Sequence, residues 1–281
     1  MRRSNLAAVA LALGLTTGIW AGSSETSAGQ HDDECRPGRF KIALDVGHTI
    51  EAPGATSARG IKEYAFNLRL AKEIAKTLSD ASFQTHLVIV QGDKRAQQLF
   101  KRVQRANALD ADLFVSIHHN DVQDRYKEKW MYEGESRFYS DRFAGHSLFV
   151  SRENPKIAES LAFGHRLGIA LKDQGLVYTN HHLENVAGER RKLLDPEAGV
   201  YRYDKLFVLM HTKMPAVLVE AGIIVNRDEE LLLETPEHRD RFAHAMLVAA
   251  IDFCAMQQYR MGPARQTYGK PNRVERPQIW W

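Results

Sequence analysis

Phe40-Lys41-Ile42-Ala43-Leu44-Asp45-Val46-Gly47-His48 is an apolar run that stops on an acid, a glycine and a histidine. Two later runs stop in the same way: Leu113-Phe114-Val115-Ser116-Ile117-His118-His119-Asn120 and Ala216-Val217-Leu218-Val219-Glu220-Ala221-Gly222. Short apolar runs bounded by turn residues read as buried strands, here 40–45, 113–117 and 216–219, with a further one at 83–90. Helical stripes lie between them. In 63–78 the stripe is Phe66, Leu70, Ala71, Ile74, Ala75 and Leu78, and in 94–109 it is Ala96, Leu99, Phe100, Val103 and Ala106. A third helix is expected from Pro155 with Asn154 as its cap, and a fourth after Pro236 with Phe242, Met246, Ala249 and Phe253 inward. Alternating strands and helices predict one α/β domain over residues 38–259, without internal repeats.

Composition agrees with such a domain. The 281 residues are 44% hydrophobic and 26% charged, which excludes intrinsic disorder and a multi-span membrane protein. Two cysteines are too few for a disulfide-stapled miniprotein, and a net charge of +3 gives no argument for nucleic acid. The N-terminus differs from the rest. Arg2 and Arg3 precede the uncharged segment 6–21, which exits through Gly22-Ser23-Ser24, the pattern of a secretory signal peptide in a leader of residues 1–28. An uncleaved anchor is the alternative, although 16 residues is short for a span. Export permits a disulfide between Cys35 and Cys254, and two free thiols remain equally open. Residues 260–281 carry five basic side chains against Glu275 and end in Trp280-Trp281. They read as an extension without period, and membrane contact is expected only through this tail or the leader.

The strand ends carry the chemistry. In open α/β sheets ligands bind beyond the carboxyl ends of the strands, so His48, His118 and Glu220 should converge there. Glu63 precedes Phe66 by three residues and Leu70 by seven, which places it on the inward face of the first helical turn. Each has an ordinary reading: hydrogen-bonded loop histidines, an acid favouring a helix N-terminus, a glutamate paired with a core arginine. Four such groups aimed at one place are harder to explain, because an inward carboxylate is costly unless paired or metal-bound. Two imidazoles and one carboxylate form a common catalytic zinc set, leaving the other carboxylate as general base. His119 should point away from His118 by strand alternation, and His165 falls on an apolar stripe as a core residue.

With these residues in view the chain resembles the zinc-dependent N-acetylmuramoyl-L-alanine amidases of the amidase 3 family. The likeness runs over residues 41–253 and includes Asp45-x-Gly47-His48, Glu63 with Asn67 and Leu68, Arg105-Ala106-Asn107 before Ala111-Asp112-Leu113, Ser116-Ile117-His118-x-Asn120, and 215–220 with Asn226. The resemblance implies a twisted, mainly parallel sheet flanked by helices, one zinc ion held by His48, Glu63 and His118, and Glu220 as the catalytic carboxylate. It implies peptidoglycan as substrate, cut between N-acetylmuramic acid and L-alanine during wall remodelling or division, and the periplasm as compartment. Asp45 is a candidate for fixing the geometry around the metal. A zinc peptidase or carboxypeptidase acting within the stem peptide, or a catalytically silent wall-binding regulator, are the alternatives.

Two departures stand out. Family members commonly continue Gly-His-Gly, whereas His48 is followed by Thr49, and the interval from His118 to Glu220 is long, with the excess at 122–143 and 179–203. In some relatives an insertion here forms a helix that blocks zinc until an activator removes it, so a protein activator is a candidate partner. Residues 121–135 read as a charged, solvated flap. His181 and His182 read as surface histidines, with a helper role at the site as the alternative. Asn120, His182 and Arg191 are the remaining candidates for contact with substrate or support of the site, and Arg190, Arg191 and Lys192 suit the carboxylates of a stem peptide.

Overall fold

A computed structural model describes residues 35–187 and 190–261. The leader 1–28 and the tail from 262 onward therefore lie outside the described residues. In chain order the elements are β1 (Lys41–Val46), α1 (Glu63–Asp80), β2 (Gln84–Val88), α2 (Arg95–Ala108), β3 (Leu113–Asn120), β4 (Glu128–Tyr132), β5 (Glu135–Tyr139), β6 (Ser147–Val150), α3 (Ile157–Asp173), β7 (Lys192–Asp195), β8 (Val200–Arg202), α4 (Phe207–His211), β9 (Ala216–Ile223), α5 (Arg227–Glu234) and α6 (Pro236–Met261).

Seven strands form one sheet in the order β2-β1-β3-β9-β6-β8-β7, with β4 and β5 apart as a hairpin. The first four strands are all parallel, β6 runs antiparallel to β9, β8 parallel to β6, and β7 antiparallel to β8. This is the mainly parallel sheet expected from the sequence. Both faces are covered, which is why β1, β3 and β9 read as unbroken apolar runs. Ile42, Leu44, Val115, Ile117, Val217 and Val219 face α1, α3 and α6. Ala43, Phe114, Phe149, Ala216 and Leu218 face α2 and α4. Alternation along β3 thus sends Ile117 and His119 to one side and Ser116 and His118 to the other.

α6 buries Phe242, Met246, Ala249 and Phe253 as predicted, and Cys254 on it is disulfide-bonded to Cys35 ahead of β1. Other expectations need correction. Phe100 is 59% exposed, because α2 turns Gln98, Arg102, Val103 and Ala106 inward instead. α3 begins at Ile157, not Pro155; the Asn154 carboxamide accepts from the Lys156 N–H and shapes the turn before the helix. His165 is exposed, paired with Asp195 at 2.7 Å, and the buried face of α3 is built from Phe163, Gly164, Leu167 and Leu171. The charged segment expected to form a flap contains a short 3-10 turn and then the β4–β5 hairpin, whose Trp130 Nε1–H donates to Ala58 O at 3.1 Å. That contact braces the loop leading into Glu63.

Candidate metal centre and active site

β1 delivers its end residues to the carboxyl edge of the sheet, and Gly47 turns the chain so that His48 adopts φ 66°, a left-handed conformation uncommon outside glycine. What holds it there is an inward arginine. Arg102 donates to Asp45 Oδ1 at 2.6 Å and to the carbonyls of Val46 and His48, and Ser116 Oγ donates to Asp45 Oδ2 at 2.6 Å. The Arg102 and Asp45 side chains are 3% and 0% exposed, so the pair is desolvated and each charge depends on the other. Asp45 is thus tied through Arg102 to the backbone of Val46 and His48.

Thr49, the departure from the family pattern, has a local role. Its hydroxyl donates to Gly92 O at 2.8 Å and accepts from Ala52 N at 2.9 Å, which closes the turn after His48.

Glu63 opens α1 and lies between the two histidines, Oε2 at 2.9 Å from His48 Nε2 and Oε1 at 3.0 Å from His118 Nδ1. The same carboxylate accepts from Ala55 N, His119 N and Asn67 Nδ2 at 3.1–3.3 Å. Burial opposes its ionisation, but the hydrogen bonds with His118 and His48 outweigh that and hold it well below the ordinary carboxylate range. His119, on the opposite face as expected, is buried and pushed down to about 3 by that burial. A neutral ring with Nδ1–H bonded to Asn67 Oδ1 at 2.8 Å satisfies both side chains. Asn67 thereby orients Glu63 from the far side.

Backbone crowds in to make room for nothing larger. A Cβ on Gly47 would lie 2.4 Å from the His118 ring, and one on Gly54, at φ +77°, would lie 2.3 Å from Glu63 Oε2. Donor atoms of His48, Glu63 and His118 fall within 4.8 Å of one another, and among the described residues they form the one such group able to hold a metal. In a tetrahedral zinc site with bonds of about 2.0–2.1 Å, ligand atoms stand about 3.3 Å apart. Two imidazoles and an ionised carboxylate at these separations suit that ion in chemistry and spacing.

Glu220 completes the group. It pairs with His118 across the parallel β3–β9 ladder, and its Oε2 is buried without a hydrogen-bond partner among the described residues. Burial first, and the negative charge of Glu63 second, push its carboxyl well above the usual range. An orphaned carboxylate oxygen beside a cation site is what a general base requires.

The remaining candidates gather next to it. Asn120 Nδ2 lies 3.0 Å from His182 Nε2 and 3.3 Å from His181 Nε2. Both histidines are buried, not on the surface as expected. His182 meets Phe149 edge-on at 4.9 Å and Tyr201 at 5.4 Å, and its pKa falls to about 2 from burial and then the neighbouring His181 and Arg191. Arg191 N donates to His182 O at 2.8 Å, and its guanidinium lies 3.9 Å from the Tyr203 ring centroid. Among the described residues, no side chain of 122–143 or 179–203 joins the donor group of His48, Glu63 and His118.

Arg102, Ser116 and Asn67 are the supports that the sequence reading did not assign. A fully inward Asp45 demands a cationic partner, and Arg102 on α2 supplies it.

Comparison with known proteins decides the family. The profile of the amidase 3 family, N-acetylmuramoyl-L-alanine amidases, matches residues 42–252. The chain belongs to that family. A putative N-acetylmuramoyl-L-alanine amidase of Buchnera aphidicola subsp. Baizongia pistaciae is 24% identical over 221 residues, 74% of this chain and 93% of that protein. The crystal structure of an N-acetylmuramyl-L-alanine amidase from Mycobacterium smegmatis superposes with a TM-score of 0.60 at 17% identity, covering 78% of this chain and 98% of that one. The CwlD amidase of Clostridioides difficile, solved in complex with the GerS lipoprotein, gives 0.55 at 18% identity over 77% and 99% of the two chains. The amidase domain is therefore spanned almost completely, and this chain is a hydrolase of the N-acetylmuramoyl-L-alanine amidase type.

Proposed function

We propose that this amidase is an exported, periplasmic zinc enzyme that releases stem peptides from peptidoglycan during wall remodelling or division. The observation that carries the reading is the unpartnered Glu220 Oε2 beside the His48, Glu63 and His118 donor group. When bound there, zinc supplies Lewis-acid chemistry, polarising the scissile carbonyl and acidifying a water. Glu220 takes a proton at Oε2 and returns it to the departing L-alanine nitrogen, so one carboxyl serves as base and then acid. Asn67 and the N–H groups of Ala55 and His119 keep Glu63 aimed, and Arg102 clamps the His48 carbonyl. The Cys35–Cys254 disulfide supports an oxidising compartment, in keeping with the leader read at 1–28. The clostridial relative solved with a lipoprotein supports a protein partner here too. His48 is 32% exposed and no described His, Cys, Asp or Glu of the insertions joins the donor group, which favours a partner that recruits or orients over one that unblocks.

The test is purified protein with peptidoglycan, its products resolved by mass. Intact stem peptides freed from glycan are expected. Loss of a terminal amino acid alone would replace this reading with the peptidase one.

A further inference from the structure

Glu220 has a second neighbour on its rung. β9 pairs with β3 on one side and with β6 on the other, and the register sets His118, Glu220 and Ser147 in one row across the sheet. Paired residues project to the same face, so the Ser147 side chain stands beside that of Glu220. Packing agrees with this. Phe149, two residues after Ser147, and Leu218, two residues before Glu220, both lie on the face covered by α2 and α4.

Ser147 is 0% exposed, and its Oγ has no hydrogen-bond partner among the described residues, the same condition as Glu220 Oε2. A buried hydroxyl left unpaired is costly, and folded proteins pair such groups almost always. Its neighbours on that face of the sheet leave one choice. Phe149 follows it on β6, Leu218 and Gly222 flank Glu220 on β9, and Gly199 stands one step before the Leu148–Val200 pair on the β8 side. None of these has a polar side chain. Directly opposed Cβ atoms lie about 4.5–5.5 Å apart, so rotation about the serine Cα–Cβ bond carries Oγ within reach of a glutamate oxygen.

We propose that Ser147 is a positioning residue for the hydrolysis, its hydroxyl donating to Glu220 Oε2 and holding that carboxyl towards the donor group of His48, Glu63 and His118. The proposal rests on the reading of Glu220 as proton acceptor. A carboxylate oxygen has two lone pairs, so Oε2 can accept from Ser147 with one and take the water proton with the other. That proton passes from water to Glu220 and on to the departing amine, and Ser147 keeps its own. A neutral donor aims the carboxyl without the strong pull against protonation that a lysine or arginine would exert. Being fully buried, Ser147 touches no substrate and acts through Glu220.

Two measurements on the full chain test this. The first needs no turnover. The Glu220 carboxyl stretch is the infrared band that Glu220→Gln removes, and in Ser147→Ala that band should shift, with zinc added or withheld. An unmoved band overturns the contact. The second is a kinetic cycle on soluble muramoyl peptides. Ser147→Ala should lower kcat about tenfold with KM and zinc content unchanged, and the same change added to Glu220→Gln should cost nothing further. A merely structural defect would lower zinc content, or lower kcat equally in both backgrounds, and either result overturns the role. Wild-type inactivity on every muramoyl peptide counts against the amidase reading, and full activity of Glu220→Gln removes the base and with it the role of Ser147. The infrared band decides the contact independently of both.

Discussion

His118 and Glu220 share one rung of the parallel β3–β9 ladder, at the carboxyl ends of the two central strands. Neighbouring strands stand about 4.8 Å apart, so His118 and Glu220 are set side by side by backbone pairing rather than by a loop. Pre-organisation of this kind separates their roles cleanly. Glu220→Gln should keep the metal, because the donor group of His48, Glu63 and His118 is intact, and should lose about 10²–10⁴ in kcat with the proton acceptor gone. Metal analysis beside a peptidoglycan release assay checks both halves. Full activity in this variant would strip Glu220 of its role.

His48→Ala tests the ligand set from the other side. The His48 side chain is 32% exposed, so its removal leaves the apolar core untouched and should lower metal content without unfolding the chain. Zinc per chain, read by elemental analysis after dialysis, is expected to fall from near one to a small fraction while far-UV circular dichroism is unchanged. A variant that retained stoichiometric zinc would show that the three-residue site is wrong.

Asp45→Asn removes the charge that Arg102 needs. A guanidinium buried to 3% exposure would be left uncompensated, at a cost of about 3–5 kcal/mol in stability. Metal affinity should fall about 10–100-fold, because Arg102 also holds the carbonyls of Val46 and His48. Arg102→Lys should fail to rescue, since one ammonium cannot reach the carboxylate and both carbonyls. Chemical denaturation and competitive zinc titration read the two effects separately, and wild-type affinity in Asp45→Asn would show that the clamp is dispensable.

How far these features were legible follows from what stabilises each one. β1, β3 and β9 are buried on both faces, so an apolar run declares them. Their ends were placed short because the ladder continues through the polar His118–Asn120 and through Glu220–Ile223, where an acid and a glycine look like loop until their neighbours pair with them. β6, β7 and β8 have four, four and three residues, too few for periodicity to register. The clustering of His48, Glu63 and His118 was readable because each sits at a strand end or in a helix's first turn. Arg102 was not, because a buried arginine makes sense only once Asp45 is opposite it, and Phe100 was drawn inward on hydrophobicity although the helix turns Arg102, Val103 and Ala106 inward and leaves it 59% exposed. His181 and His182 looked like surface residues because nothing local announces Phe149 and Tyr201, which bury them from β6 and β8.

The Cys35–Cys254 bond closes a loop of sequence separation 219 between the segment before β1 and the last helix. Removing it should cost about 2–5 kcal/mol, chiefly by freeing the unfolded chain. At about 2–4 °C per kcal/mol for a domain of this size, the melting midpoint should drop by roughly 5–15 °C on reduction. Differential scanning calorimetry with and without reductant measures it, with Cys35→Ser/Cys254→Ser as a control that should melt with the reduced protein. Identical midpoints would mean the crosslink adds nothing to the fold.

Acid should destabilise this protein well above the range in which carboxylates titrate. Burial lowers the folded-state pKa of His146, His181 and His238 to about 4 and of His182 to about 2, against 6.5 for the ordinary ring. Below 6.5 the unfolded chain therefore binds protons that the folded chain refuses, so stability falls as pH drops through 6.5 and continues to fall to about 4. Glu229 acts in the opposite sense. Burial raises it to about 7 from 4.5, so the folded state holds a proton the unfolded state has released, and its contribution is lost as pH rises through that window. With His119, likewise lowered to about 3, and Glu220, likewise raised by burial, five histidines stand against two glutamates and give a net loss of stability between pH 7 and 5. Denaturant midpoints should fall steadily as pH drops across that interval, and His146→Leu should flatten the slope by removing one of the buried rings that refuses a proton in the folded state. A midpoint independent of pH over the interval would show that these rings are protonated in the folded state, and that the burial ascribed to them does not keep them neutral.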